Sequence, residues 1–279
     1  MRTLHHDLVV DTCLFSPLQL QPRALFAQSW NGLARWFAAN VCSFPSLLGD
    51  HHFGMVFLGI HLAYHEPVGF FDADVIGQEV TVRLLRQGSR LELVSRYVGR
   101  GRECGDGRLA AEVRCTLCPV AITEPRSLAA QPAPFPEDIQ RCFAEDERGT
   151  STAPRVVPAL LEEISRGVPL GERQTPFTIH RHMAEVADQW SFSEIPCLCE
   201  ASREHLVLEQ VGRAPELGQA LALPLRTVDV ELARPYYSFD RGVTSTQAAS
   251  LGGKLAFVHR LGATLPGTPV HGIVVERYG

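Results

Sequence analysis

The sequence predicts an α+β protein built from two copies of one module, each a long buried helix followed by antiparallel strands. Three observations predict it. Two stretches of the chain share residues in the same order. Each copy carries apolar residues at helical spacing, opened by a proline at Pro22 and at Pro196. Each then runs into segments that alternate apolar and polar residues, the period of half-buried strands.

The duplication shows when the two ends are laid over each other. Residues 61–72, from His61-Leu62-Ala63-Tyr64-His65 to Phe70-Phe71-Asp72, match residues 231–240, from Glu231-Leu232-Ala233-Arg234-Pro235 to Ser238-Phe239-Asp240. Downstream, Leu91, Val94 and Arg96 match Leu255, Val258 and Arg260. Each copy closes on an alternating run, 109–117 and 270–278, and each places an aspartate, Asp11 or Asp188, ahead of its helix. Three matches in one order argue for a repeat. The expected organisation is a first module over 1–120, a proline-rich crossing linker over 121–175, and a second module over 176–279.

In the first module Leu25, Phe26, Trp30, Leu33, Trp36, Phe37 and Val41 recur at helical spacing over a wide arc, which predicts a largely buried helix. Pro22 suits its first turn, where the missing N–H costs nothing. Strands are expected at 55–64, 79–85, 90–98 and 109–117. The second helix, 196–211, sets Leu198, Ala201, His205 and Leu208 on one stripe. Its strands are expected near 219–232, 241–250, 253–261 and 270–278. Short helices are expected within Asp138–Glu145 and Pro158–Arg166.

Composition excludes several functions. The 279 residues are 45% hydrophobic and 20% charged, too apolar for a disordered chain. A net charge of −5 argues against a dedicated nucleic-acid binder, which needs clustered positive charge. No apolar run reaches the roughly 20 residues that span a bilayer, and the N-terminus has no apolar signal core. A cytoplasmic protein is expected. Of 26 basic residues Lys254 is the one lysine, and it is followed by Leu255. That excludes a P-loop and leaves little for Schiff-base chemistry. No cofactor is expected. The eight cysteines form no disulfide framework, and Cys115 and Cys118 read as buried thiols on a strand.

A long helix wrapped by antiparallel strands, twice in one chain, resembles the double hotdog fold of acyl-thioester enzymes. Tyr64-His65-Glu66-Pro67-Val68, with Asp72 beyond it, and Asp106-Gly107-Arg108-Leu109-Ala110-Ala111-Glu112 are similar to phrases of hotdog thioesterases. Leu25-Phe26-Ala27-Gln28 and the chain length resemble a double-hotdog group typified by the leinamycin-pathway acyltransferase/decarboxylase. The resemblance implies an acyl-CoA or acyl-carrier-protein substrate in a fatty-acid or polyketide type of pathway, and thioester hydrolysis or acyl transfer. Dehydratase, isomerase or decarboxylase chemistry on the same carriers is the alternative, and a non-catalytic hotdog partner another. No nucleic acid or membrane partner is expected; a homodimer is left open. The hydratase, dehydratase and thioesterase signature phrases are absent from the chain.

The candidate catalytic residues are Asp11, Tyr64, His65 and Asp188. The two aspartates precede the helices, where a hotdog places catalytic carboxylates; turn formation is the competing role. His61 and His65, four apart on a strand, share a face. Histidine suits proton transfer near neutral pH, and the Tyr64 hydroxyl offers a donor. The second copy replaces these positions with Glu231, Arg234 and Pro235, so one active site in the first half follows. Further candidates are His5, His6, His180 and His182 as metal ligands, and Glu194 and Glu200 beside the second helix. Arginines 83, 86, 90, 96, 100, 102 and 114 are candidate phosphate contacts. Trp30, Trp36 and Trp190 read as core.

Overall fold

Pro22 opens a 19-residue helix, α1 (Pro22–Asn40), in the computed structural model, which describes residues 1–124, 128–150, 155–263 and 270–279. Leu25, Phe26, Leu33, Trp36 and Phe37 are buried, as their spacing predicts, and Ser29 and Gly32 share their stripe. Gly32 stands where the sheet comes closest. A Cβ there would lie 2.7 Å from Val80 Cγ2 and 2.8 Å from Gln78 Nε2. Ser29 is satisfied by the Tyr97 hydroxyl at 2.8 Å, which also donates to the Leu25 carbonyl at 2.8 Å. Gln78 Nε2 donates to the Gln28 carbonyl at 2.9 Å. Helix and sheet are thus joined by a small polar cluster inside an apolar interface, and burial pushes the Tyr97 phenol upward.

Two compact units make up the chain: residues 1–60 with 65–154, and residues 61–64 with 155–279. The first holds β1 (Thr3–Val9), α1, α2 (Phe44–Gly49), β2 (Phe53–Tyr64), β3 (Val75–Leu85), β4 (Arg90–Gly101) and β5 (Gly105–Glu124), with the last four residues of β2 counted in the second unit. Its strand order is β1-β3-β4-β5-β2. β6 (Ala129–Pro132) pairs with β5, α3 (Glu137–Arg141) follows, and β7 (Arg148–Gly149) pairs in parallel with β3. Phe143 packs on Trp36, with ring centroids 5.5 Å apart. Glu147, fully buried, accepts the Arg2 backbone N–H at 2.8 Å and its guanidinium Nε at 2.9 Å.

The second unit holds α4 (Val157–Ser165), β8 (Val168–Thr178), α5 (Ile195–Gln210), α6 (Gln219–Ala222), β9 (Leu225–Leu232), β10 (Arg241–Leu251), β11 (Lys254–Ala263) and β12 (Gly272–Tyr278). Its strand order is β8-β10-β11-β12-β9. That repeats the five-strand order of the first unit, so the duplication read from three short matches is a duplication of strand topology. The first part of the expected strand at 219–232 is instead α6, and Pro224 separates it from β9.

Two expectations are corrected. The segment 121–175 is not a free linker. Its described residues finish β5, form β6, α3 and β7 of the first unit, and form α4 and most of β8 of the second; residues 125–127 and 151–154 lie outside the described residues. The stripe expected on the second helix is also the wrong face. Ala201, His205 and Leu208 are exposed, and the buried face of α5 is Ile195, Cys199, Ser202, Arg203, Leu206 and Val207.

The reason is a polar network. Ser202 Oγ bonds Thr175 Oγ1 at 2.9 Å and Thr246 Oγ1 at 2.7 Å, and Thr246 Oγ1 meets His259 Nδ1 at 2.8 Å. His259 Nε2 faces Glu276 Oε2 at 3.2 Å, which also accepts from Arg203 Nη1 at 2.5 Å. Hydrophobic periodicity weighs a serine and an arginine as exposed, whereas here strand residues take the Ser202 hydroxyl and the Arg203 Nη1, leaving the buried Arg203 Nε without a partner.

The opposite face of that sheet is covered by α4. Val157, Leu160 and Ile164 pack on Ala249, Ala256, Val258 and Val275. Ala256 and Val258 alternate along β11 with Phe257 and His259, so each strand feeds two packed layers.

Candidate active site

Asp229 stands on β9 between Val228 and Val230 and pairs in register with Val275 of β12. It therefore shares the sheet face on which Val275 meets α4. Its side chain is 2% exposed, and Oδ1 lies 2.6 Å from Nδ1 of His61, whose side chain is 36% exposed. Both belong to the second unit, because His61 falls in the four β2 residues grouped there. Arg277 Nη2 lies 4.0 Å from Asp229 Oδ2, a buried oxygen without a hydrogen-bond partner, and Arg277 Nε donates to Thr227 Oγ1 at 2.9 Å.

This arrangement has a specific chemical consequence. A carboxylate held at Nδ1 fixes the imidazole tautomer with its proton toward Asp229, which frees the Nε2 lone pair as a base. The buried carboxylate then stabilises the imidazolium formed when that base takes a proton.

The four candidate catalytic residues do not converge. The Asp11 carboxylate accepts the backbone N–H groups of Cys13 at 2.7 Å and Leu14 at 3.1 Å, the bond pattern of a turn. Asp188 has left-handed backbone, φ 56°, and accepts the Ser238 hydroxyl at 2.6 Å. His65 is exposed just past β2, its N–H bonded to the Ala110 carbonyl at 3.0 Å. Tyr64 is half-buried and ends β2 three residues after His61, a spacing that sets it on the other face.

The remaining candidates are placed as follows. His180 and His182 lie past the end of β8, in and beside a short turn at Arg181–Met183, with rings stacked 5.8 Å apart. His5, on β1, faces Glu79 at 3.8 Å. Glu194 is buried at the start of α5, and Glu200 faces Arg203 Nη2 at 3.4 Å with its carboxyl pushed up by burial. Trp36 and Trp190 are core, and Trp30 is half-buried against Phe44 and Phe57.

The strand arginines are largely neutralised. Arg83 and Arg114 face Glu92, Arg96 faces Glu112, Arg100 faces Asp7 and Arg102 faces Asp74, at 2.5–3.7 Å. Cys115 and Cys118 are buried and their thiols are pushed up by desolvation, as inert core thiols should be.

Sequence reasoning weighed His61 beside Tyr64 and His65 without choosing it, and did not raise Asp229. The one signal was a lone carboxylate flanked by apolar strand residues; nothing linear connects positions 168 apart. A cavity of about 350 Å³ lies beside α4, lined by Leu161, Ile164, Ala249, Val258 and Arg260 among others; neither His61 nor Asp229 lines it.

No family sequence model and no curated protein matches the chain. Solved structures do. A protein of Lactobacillus plantarum assigned as an oleoyl thioesterase superposes at a TM-score of 0.71, with 10% identity, over 99% of this chain and 96% of its own. The acyl-ACP thioesterase of Bacteroides thetaiotaomicron gives 0.65 with 8% identity over 99% and 98%. The fold is the hotdog fold. The 12:0-ACP thioesterase of Umbellularia californica, at 0.65 and 9% identity over 99% and 94%, has it too. At such identities the likeness concerns the hotdog architecture, and the chemistry must be argued from residues.

Proposed function

We propose that this chain is a double hotdog enzyme that hydrolyses an acyl thioester of CoA or of acyl carrier protein. The His61–Asp229 pair carries the reading, and the fold shared with three thioesterases over 99% of the chain supports it. His61 and Asp229 supply the acid–base pair. His61 Nε2 removes a proton from water as it attacks the thioester carbonyl, and Asp229 stabilises the imidazolium. Collapse of the tetrahedral adduct expels the thiolate, which takes the proton from His61, so a free acid and a free thiol are released.

Asp11 and Asp188 hold turns in this reading, Tyr64 lies on the other face of β2 from His61, and His65 is exposed past its end. The test is release of free thiol from a panel of acyl-CoAs and acyl-carrier proteins. His61→Ala and Asp229→Asn should each lower kcat/KM by at least ~100-fold, the scale of a lost general base. Retained activity in both variants, with loss in Asp11→Ala, Tyr64→Phe, His65→Ala or Asp188→Ala, would move the base to that residue. Thioester-intact dehydration or decarboxylation would refute hydrolysis.

A further inference from the structure

Asp229 is gripped at one oxygen. Oδ1 meets His61, whereas Oδ2 is buried and accepts no hydrogen bond among the described residues. A buried carboxylate oxygen left this way stays charged only where a positive group stands near it. Besides His61, the one ion contact of Asp229 among the described residues is Arg277. Its Nη2 lies 4.0 Å from Oδ2, too far for a hydrogen bond but within reach of an ion pair.

Strand pairing sets Arg277 in that place. Arg277 pairs in register with Thr227 and Val275 with Asp229, so Arg277 and Asp229 are diagonal neighbours across β12 and β9. Such neighbours are about 7–8 Å apart, a span that a long side chain covers. The register shifts between Arg277 and Tyr278, which pairs with Leu225, so Arg226 is an extra residue on β9 beside Thr227. A bulge of this kind re-aims the side chains next to it. Arg277 Nε donates to Thr227 Oγ1 at 2.9 Å, which anchors the guanidinium while Nη2 faces Asp229.

The other charges on this face have partners of their own. Glu231, two residues past Asp229, takes Arg155 at 2.8 Å, and Arg260 donates to Gln247 at 2.8 Å. α4 brings Val157, Leu160 and Ile164, and β11 brings Ala256 and Val258. Arg277 makes no other ion pair among the described residues, and its side chain is 33% exposed. A change there alters the charge beside Asp229 more than it alters the core.

We propose that Arg277 is a positioning residue: anchored on Thr227, it keeps Asp229 ionised and holds its Oδ1 toward His61. The proposal rests on the reading of His61 as the general base. One guanidinium has two effects. Its charge offsets part of the Asp229 field at His61, so the imidazole sheds its proton more readily and is free to act as a base. Its fixed place holds Oδ2 on the far side, so the Nδ1 proton points to Oδ1.

The experiment measures kcat and KM for one acyl thioester across pH, in the parent and in Arg277→Gln, Arg277→Lys and Thr227→Val. Arg277→Gln should lower kcat about tenfold with KM unchanged. It should also move the acid limb of kcat/KM up by about one pH unit, because losing a nearby positive charge favours the imidazolium. Arg277→Lys keeps the charge, so its acid limb should stay at the parent position while kcat remains reduced. Thr227→Val frees the guanidinium, so kcat should fall by a smaller factor with the limb unmoved. An unmoved limb in Arg277→Gln, or a loss seen only in KM, would overturn the role; a general loss of structure gives the first of these. If the parent hydrolyses nothing, or His61→Ala keeps full activity, the hydrolase reading fails. Nuclear magnetic resonance titration of the imidazole C–H signals then decides the positioning separately, the His61 signal being the one lost in His61→Ala. A curve displaced upward by about one pH unit in Arg277→Gln supports the role. A curve that superposes on the parent's overturns it.

Discussion

Replacing Arg203 with Met should destabilise the second unit severely, and removing the Glu276 charge as well should restore much of the loss. Arg203 is 5% exposed and Glu276 2%, with Nη1 and Oε2 2.5 Å apart. Burial by itself would push the Glu276 carboxyl up, but Arg203 and His259 hold it down, to about 2. Arg203→Met leaves that carboxylate buried with His259 as its remaining partner. Stranding one member of a buried pair costs about 3–5 kcal/mol. At about 2–4 °C per kcal/mol for a chain of this order, the melting temperature falls by about 6–20 °C. In Arg203→Met/Glu276→Gln no charge is stranded, and the amide still serves His259 Nε2. The double variant should therefore be more stable than Arg203→Met.

Thermal and urea melts of the parent, both single variants and the double give the coupling energy. The sign of the pH dependence follows from the depressed carboxyl. Stability from the Glu276 pairing is fully present above the ordinary carboxylate value, about 4.3, and is lost as pH falls through the folded value of about 2. Glu276→Gln should flatten that acid limb. A double variant as unstable as Arg203→Met, or losses that simply add, would refute the stranded-charge argument.

Two further outcomes test the first unit. Tyr97→Phe removes a hydroxyl shared by Ser29, Gln78 and the Leu25 carbonyl. It should cost about 1–3 kcal/mol in a urea titration, the penalty for buried polar groups left unmet. Gly32→Ala should cost a similar 1–3 kcal/mol by overpacking, since its Cβ would sit 2.7 Å from Val80. An unchanged melting point would mean that α1 shifts off the sheet freely.

Much of the architecture was legible in the chain because it rests on local patterns. The apolar spacing from Leu25 to Phe37 dictated α1, alternation from Leu109 to Leu117 dictated part of β5, and repeated phrases marked a duplicated topology. The face of α5 was not legible. Periodicity assumes that polar residues seek water, and Ser202 and Arg203 instead find Thr175, Thr246 and Glu276 inside the sheet. In the 121–175 segment the two short helices were legible, but its proline-rich composition hid the strands β6 and β7 and the start of β8. Short pieces of it earn their place by tertiary pairing, as Glu147 does with Arg2.

The candidate site divides in the same way. His61 was visible by residue type, since imidazole chemistry is intrinsic to the side chain, but it was not among the four residues chosen. Asp229 was not visible at all, because nothing in the intervening chain marks a carboxylate that folding brings within 2.6 Å of His61. Asp11 and Asp188 had the right type and neighbourhood, yet loop closure supplied their bonds. The sequence by itself determined the two long helices, most of the alternating strands and the repeat, all set by short-range periodicity and sterics. Tertiary structure alone decided which charges are paired, which face of α5 is buried, and which histidine meets a carboxylate, because those depend on side chains that only folding brings together.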